Sequence, residues 1–250
     1  MNAAIRRHCS ELDRCNQRGG RMLSVLDLLE AETLSLDVAA YLMARISCGA
    51  SFLVGARPGG AGKTTVMCAL LNLVPHDVEL IAATARAVRE ARDETGRDRR
   101  CYVCHEIGSG PYFAYLWGSD LRAYCALAEQ GRLLATNLHA DDIDEAHAQV
   151  CVQNSVPESH FRACHLQIFM RVGGRFRSTR TIDRVYASDG AAPHRLVFDA
   201  QRSGPLEAVD VDGHWSSECR TFLENTHAAG TRTIEDTRAA VIAFLTRNAR

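Results

Sequence analysis

Apolar and polar positions along the first two thirds of the chain set helical stripes against short, wholly apolar runs. From Ser35, a good N-cap, Val38, Tyr41, Leu42 and Ile46 fall on one helical face, and Gly49 stands where a terminating glycine belongs. Phe52-Leu53-Val54 follows as a buried strand, then a glycine-rich turn. Next comes a helix with Val66, Ala69, Leu70 and Leu73 inward, stopped by Pro75. Leu80 to Ala83 predicts a second strand, Thr84 to Glu94 an arginine-rich helix and Gly96 to Arg100 a polar turn. Cys101 to Cys104 predicts a third strand ending in His105-Glu106. Asp120 to Gln130 reads as a helix with Leu121, Tyr124, Cys125 and Ala128 inward, closed by Gly131. Leu133 to Thr136 is a fourth strand running into Asn137-Leu138-His139, and Asp142 with Glu145 predicts a capping box for the next helix. This alternation predicts an α/β fold with a mainly parallel sheet and ligands at the strands' carboxyl ends.

Beyond Val152 the rhythm changes. Leu166 to Arg171, Thr179 to Tyr186 and Arg195 to Asp199 predict strands joined by Gly173-Gly174 and Asp189-Gly190 turns, hence antiparallel pairing, with a further strand over Val209 to Asp212. Two helices close the chain. The last runs from Thr233 to Asn248 with a Thr233/Asp236 box and Ile234, Val241, Ile242 and Leu245 inward. At the other end, residues 1–21 carry Arg6, Arg7, Arg14, Arg18 and Arg21 and predict a solvated arm or short helix. Leu23 to Leu29 is apolar with little spacing signal. Gly108 to Gly118, with Tyr112, Phe113, Tyr115 and Trp117, predicts an ordered surface loop.

Composition narrows the partners. At 250 residues the chain can build one sizeable core, and a net charge of −1 gives no global bias toward nucleic acid or membrane surfaces. No apolar run reaches the roughly 18 residues of a membrane span and no signal-peptide core is present, so a cytoplasmic protein is expected. The ten cysteines are scattered through predicted strands and helices and read as reduced core thiols. Cys101-Tyr-Val-Cys104-His105 matches the spacing of a c-type haem attachment, but it lies in a β-type run, and no haem is expected.

The residues that carry chemistry lie in Arg57-Pro58-Gly59-Gly60-Ala61-Gly62-Lys63-Thr64-Thr65, between a strand and a helix. Backbone N–H groups freed by glycines at a helix N-terminus can ring a polyphosphate; Lys63 would neutralise it and Thr64 would hold its Mg²⁺. Lys63 is the only lysine among 29 basic side chains. A compact ammonium fits a phosphate cradle where a planar guanidinium does not. The strict Gly-x-x-x-x-Gly-Lys-Ser/Thr pattern would place glycine at position 57, where this chain has Arg57. Glu106 and His139 stand at the ends of predicted core strands, the places for a water-polarising or Mg²⁺-orienting acid and a γ-phosphate sensor. A GTPase switch is excluded: Asn-Lys-x-Asp needs a second lysine.

Together the segments resemble the RecA-type motor domain of the ATPases that drive type II and type IV secretion, type IV pili and the archaellum. SLDVAAYLMARISCGASFLVGARPGGAGKTT resembles that family's helix, strand and Walker A entry, CHEI its Walker B segment, and EQGRLLATNLHADD its histidine box. RTIDRVYASDG resembles the arginine-bearing strand near the end of the motor domain. The resemblance covers about residues 22–250, with residues 1–21 an arm, a P-loop core over about 35–155 and C-terminal strands and helices over about 156–250. It implies ATP and Mg²⁺ as ligands, Glu106 as the Walker B glutamate and His139 as the nucleotide sensor. It further implies a ring of six subunits and an integral-membrane platform protein as partner, with the chain peripheral at the inner membrane face. Departures are Arg57, the Thr84-Ala85 pair where an acidic pair is usual, the missing arginine after Glu106 with a lengthened segment to Gly131, and the near absence of an N-terminal domain. The retained Lys63, Glu106 and His139 favour an active ATPase. Thr84-Ala85 favours a slow or inactive regulatory subunit.

Overall fold

The computed structural model describes residues 2–16, 20–94, 99–174, 179–202, 206 and 211–248. The expected turn at 96–100 and strand at 209–212 lie largely outside these residues, as does Arg18.

The chain opens with α1 (Ala3–Cys15), capped by the Asn2 side chain accepting from the Ala4 amide. Its Ile5, His8, Cys9, Leu12 and Cys15 are buried, so the segment expected as a solvated arm or short helix is instead a full helix of the core. The apolar stretch after it forms α2 (Val25–Glu30), started by a reciprocal box between Ser24 and Asp27. α3 (Leu36–Ser47) begins at the Ser35 cap and ends before Gly49, whose φ of 96° only glycine adopts easily. β1 (Phe52–Gly55) and α4 (Lys63–Leu71) flank the glycine-rich turn. β2 (Glu79–Ala82) and α5 (Ala85–Asp93) follow, then β3 (Arg100–Ile107), which runs three residues past Cys104.

The aromatic segment is not all loop: β4 (Tyr115–Leu116) pairs with the end of β3, Glu106 opposite Tyr115. α6 (Gly118–Ala126), β5 (Leu133–Leu138) and α7 (Ile143–His147) follow, α7 continuing as a π-helical turn over Ala148–Gln153. After α8 (Glu158–Arg162) come β6 (Leu166–Gly173), β7 (Thr179–Ala187) and β8 (Arg195–Asp199), and then α9 (Gly213–Ala228) and α10 (Ile234–Arg247). On α10, Ile234, Val241 and Leu245 are buried and Ile242 is half-buried.

The strands form one sheet in the order β2-β3-β5-β1-β6-β7-β8, with β4 beside β3. β2, β3, β5, β1 and β6 are parallel, and β7 and β8 add antiparallel pairs. Insertion of β5 between β1 and β3 is the strand order of a RecA-like P-loop core, here with an antiparallel and helical extension. The strands alternate sides. Phe52, Val54, Cys101, Val103 and Ile168 join the apolar layer of α1, α3, α4 and α10, whereas Leu53, Tyr102, Cys104 and Phe169 join that of α5, α6 and α8. A parallel sheet covered on both faces leaves its carboxyl edge as the natural place for a ligand.

Candidate nucleotide site

The turn after β1 is shaped by its glycines. Gly60 and Gly62 have φ of 81° and 95°, left-handed values that a Cβ would strain. At Gly62 a Cβ would also press within 3.2 Å of the Arg180 side chain. Gly62 is the N-cap of α4 and supplies no side-chain acceptor. The first-turn amides of α4 therefore keep the unsatisfied N–H groups and partial positive charge that phosphate takes up.

Arg57 carries no positive φ, which removes the steric objection to a non-glycine there. Its amide donates to Asp141 Oδ1 at 2.6 Å, and its guanidinium pairs with Glu145. That contact explains a misread capping box. Asp142 does accept from the Glu145 amide, but the Glu145 carboxylate turns instead to Arg57 and the Asp141 amide.

Lys63, Glu106 and His139, expected together from sequence, meet at the carboxyl ends of β1, β3 and β5. Lys63 Nζ lies 3.8 Å from Glu106 Oε2, 3.3 Å from His139 Nδ1 and 3.2 Å from the Ala56 carbonyl it donates to. His139 Nε2 is also 3.8 Å from Glu106 Oε2. Lys63 and Glu106 are buried and His139 is exposed. Burial pushes the Glu106 carboxyl above its ordinary range, and Lys63 and His139 pull it back only in part. Glu106 Oε1 is buried with no hydrogen-bond partner among the described residues. Such an atom suits a water or a hydrated cation. These residues line a cleft of about 1010 Å³ together with Gly59, Gly60, Thr64 and Thr65.

Three contributors escaped the sequence reading. Asn137, wholly buried in β5, donates to the His105 carbonyl at 2.9 Å and to Thr64 Oγ1 at 3.4 Å, tying the candidate Mg²⁺ hydroxyl to β3 and β5. A polar residue inside an apolar strand was its only signal. Arg180 on β7 reaches back to donate to the Gly60 carbonyl at 3.1 Å; the strand was singled out, the residue was not. Cys15, at the end of α1, sets Sγ 3.1 Å from His105 Nε2 at the cleft wall. Its thiol is lowered to about 6, chiefly by a hydrogen bond with Cys68 and further by His105, against the opposing effect of burial.

The residues fit a magnesium nucleotide by these criteria: a glycine cradle with left-handed backbone, a buried ammonium, a hydroxyl and a buried acid with a spare acceptor. They do not fit haem at Cys101-Tyr-Val-Cys104-His105, since both thiols are buried in β3 and burial holds them far above the ordinary thiol range. At the end of β2, Thr84 caps α5 by accepting from the Ala87 amide, and Ala85 is that helix's first residue.

Among solved structures the chain is similar to the VirB11 ATPase of the Brucella suis type IV secretion system in complex with sulphate, at 20% identity over 65% of this chain and 54% of that one, TM-score 0.46. It is also similar to the ATPase DotB of Yersinia pseudotuberculosis, at 10% identity over 90% and 63%, TM-score 0.47. DotB of Legionella pneumophila matches at 12% identity over 86% and 57%, TM-score 0.41. The chain thus spans between 54% and 63% of the length of these structures. The fold is read from the strand order of this chain itself. No family model matches the chain, and no curated protein matches it.

Proposed function

We propose that the chain is a P-loop ATPase of the secretion and type IV pilus class, hydrolysing ATP to drive such a machine. The observation that carries the reading is the convergence of Lys63, Glu106 and His139 on one cleft beside the α4 N-terminus. The backbone of Pro58, Gly59, Gly60, Ala61 and Gly62 would cradle the phosphates with the amides of Lys63, Thr64 and Thr65, while the Lys63 ammonium neutralises their charge. Mg²⁺, held by Thr64 and Glu106, would supply further charge neutralisation on the β- and γ-phosphates. Glu106 aligns the attacking water and takes its proton. His139, between Lys63 and the Arg57 carbonyl, registers whether a γ-phosphate is present. Arg180, on β7, steadies the loop by its bond to Gly60. Among the described residues no helix is long and apolar enough to cross a membrane. Under this reading the chain works from the cytoplasmic side as a ring, hexameric by family resemblance, against an integral-membrane platform protein.

A second reading, a catalytically weak regulatory subunit, is favoured by one observation: the end of β2 offers Thr84 and Ala85, engaged in capping α5, and no carboxylate. The test is Mg²⁺-dependent ATP turnover of the wild type beside Glu106→Gln and Lys63→Ala. An ATPase requires nucleotide binding lost in Lys63→Ala, and binding kept with turnover down on the order of a hundredfold in Glu106→Gln. The wild-type kcat/KM should also fall on acidification with an apparent pKa above the ordinary glutamate value of about 4.3, a limb absent from Glu106→Gln. Binding without turnover in the wild type would establish the regulatory reading. Equal nucleotide binding by Lys63→Ala and wild type would refute both.

A further inference from the structure

The segment that follows His139 carries a second constellation, which the nucleotide site does not use. α7 ends at His147 and continues through the π-helical turn Ala148–Gln153, while Pro157 starts α8 with Glu158 as its first residue. A π-helical turn is an uncommon insertion that costs hydrogen-bond geometry and recurs where side chains must be brought together. Here His147 and Cys151, four residues apart, face Glu158 across the loop. One imidazole nitrogen, the Cys151 Sγ and a Glu158 carboxylate oxygen all lie within 4.8 Å of one another. His147 Nε2 is 2.5 Å from Glu158 Oε1, and the Cys151 thiol stands close by the same carboxylate. The Phe161 ring stands edge-on to His147 with centroids 5.4 Å apart.

Donor chemistry selects the ligand. One nitrogen, one sulfur and one oxygen donor suit a borderline-soft ion, whereas Mg²⁺ and Ca²⁺ take oxygen sets. A tetrahedral site with bonds of about 2.0 to 2.3 Å needs donors roughly 3.5 Å apart, so forming it takes side-chain shifts of about 1 Å, the His147–Glu158 pair opening to admit the ion. A thiolate and a carboxylate together balance a divalent charge. His147 and Cys151 are half-buried and Glu158 is exposed, which leaves the fourth position open to water.

We propose that His147, Cys151 and Glu158 bind one zinc-class divalent cation, with water as fourth ligand. The site would brace the segment that supports the sensor, since Glu145 on α7 holds Arg57 and Gln149 in the π-helical turn donates to the His139 carbonyl at 2.7 Å. The proposal does not depend on the ATPase reading.

The test uses the full-length, tag-free, reduced protein, titrated with Co²⁺ and then with Zn²⁺. One equivalent of Co²⁺ should give a near-ultraviolet thiolate-to-cobalt charge-transfer band with the visible absorption of a tetrahedral ion, and Zn²⁺ should displace it. Cys151→Ser should abolish the band, with folding checked by circular dichroism. His147→Ala and Glu158→Gln should each weaken Zn²⁺ binding by at least about tenfold, the minimum seen for loss even of an outer-shell partner. The absence of a thiolate band in the wild type would overturn the proposal and leave a hydrogen-bonded His147–Glu158 pair. A band undiminished in Cys151→Ser would overturn it too, by placing the metal on other cysteines.

Discussion

Arg57 shows how one side chain can leave a motif without leaving its geometry. Its backbone has no need of positive φ, its amide is held by Asp141, and its carbonyl accepts from His139 Nδ1 at 3.0 Å. Its guanidinium pairs with Glu145, with the side chain 64% exposed. An exposed pair of this kind contributes up to about 1 kcal/mol, and glycine would add a similar cost in unfolded-chain entropy. Arg57→Gly, which restores the strict pattern, should therefore lower the melting temperature by a few degrees while changing ATP affinity by less than about threefold. A fluorescent-nucleotide titration beside a thermal melt checks this, and a tenfold affinity change would mean that Arg57 touches the nucleotide. At this scale the sequence was most informative where chemistry left few choices. A sole lysine after glycines and acid or imidazole groups at strand ends could be placed from residue type alone. Asn137 and Arg180 could not, because their roles depend on which strand lies beside which.

The same limit explains the first helix. Its buried stripe of Ile5, His8, Cys9, Leu12 and Cys15 has helical spacing, but three of those five are histidine or cysteine, and five arginines crowd the surrounding sequence. A polarity pattern alone therefore hides the helix. In the fold α1 packs on α10 and α4, with His8 and Arg238 both buried there. Arg238 donates to the carbonyls of Asn72, Val74 and Pro75, satisfying the acceptors left where α4 and its following turn end. Burial, reinforced by the Arg238 charge, lowers His8 to about 3. An unfolded histidine titrates near 6.5, so between about 6.5 and about 3 the unfolded chain binds the extra proton. The sign follows: this contribution to stability is intact at neutral pH and is lost as pH falls through that window, at up to about 1.4 kcal/mol per pH unit. Urea unfolding at about pH 7 and about pH 5 should show a larger loss for the wild type than for His8→Leu. Equal losses would mean that His8 is solvated or already charged in the native state.

At the scale of the molecule, the alternation of strands and helices made a parallel sheet legible, and turn residues made the antiparallel extension legible. The order of the strands was not, since β5 enters between β1 and β3 through contacts some 80 and 30 residues apart that no local pattern records. That order places β1 between two parallel partners and beneath helices on both faces, whereas β8 among the described residues pairs with β7 alone and keeps most of its residues half-exposed. Backbone amides of central, doubly covered strands open only with the whole fold, and those of an edge strand open locally. Native-state hydrogen exchange should therefore be slowest in β1, β5 and the first half of β6, and faster in β8 by at least about tenfold, equivalent to roughly 1.4 kcal/mol of opening free energy. If β8 exchanges as slowly as β1, its outer edge is covered in solution, either by the rest of the chain or by an interface between subunits. Repeating the measurement across a range of protein concentrations separates the two cases, because protection from a subunit interface fades on dilution while protection from the fold does not.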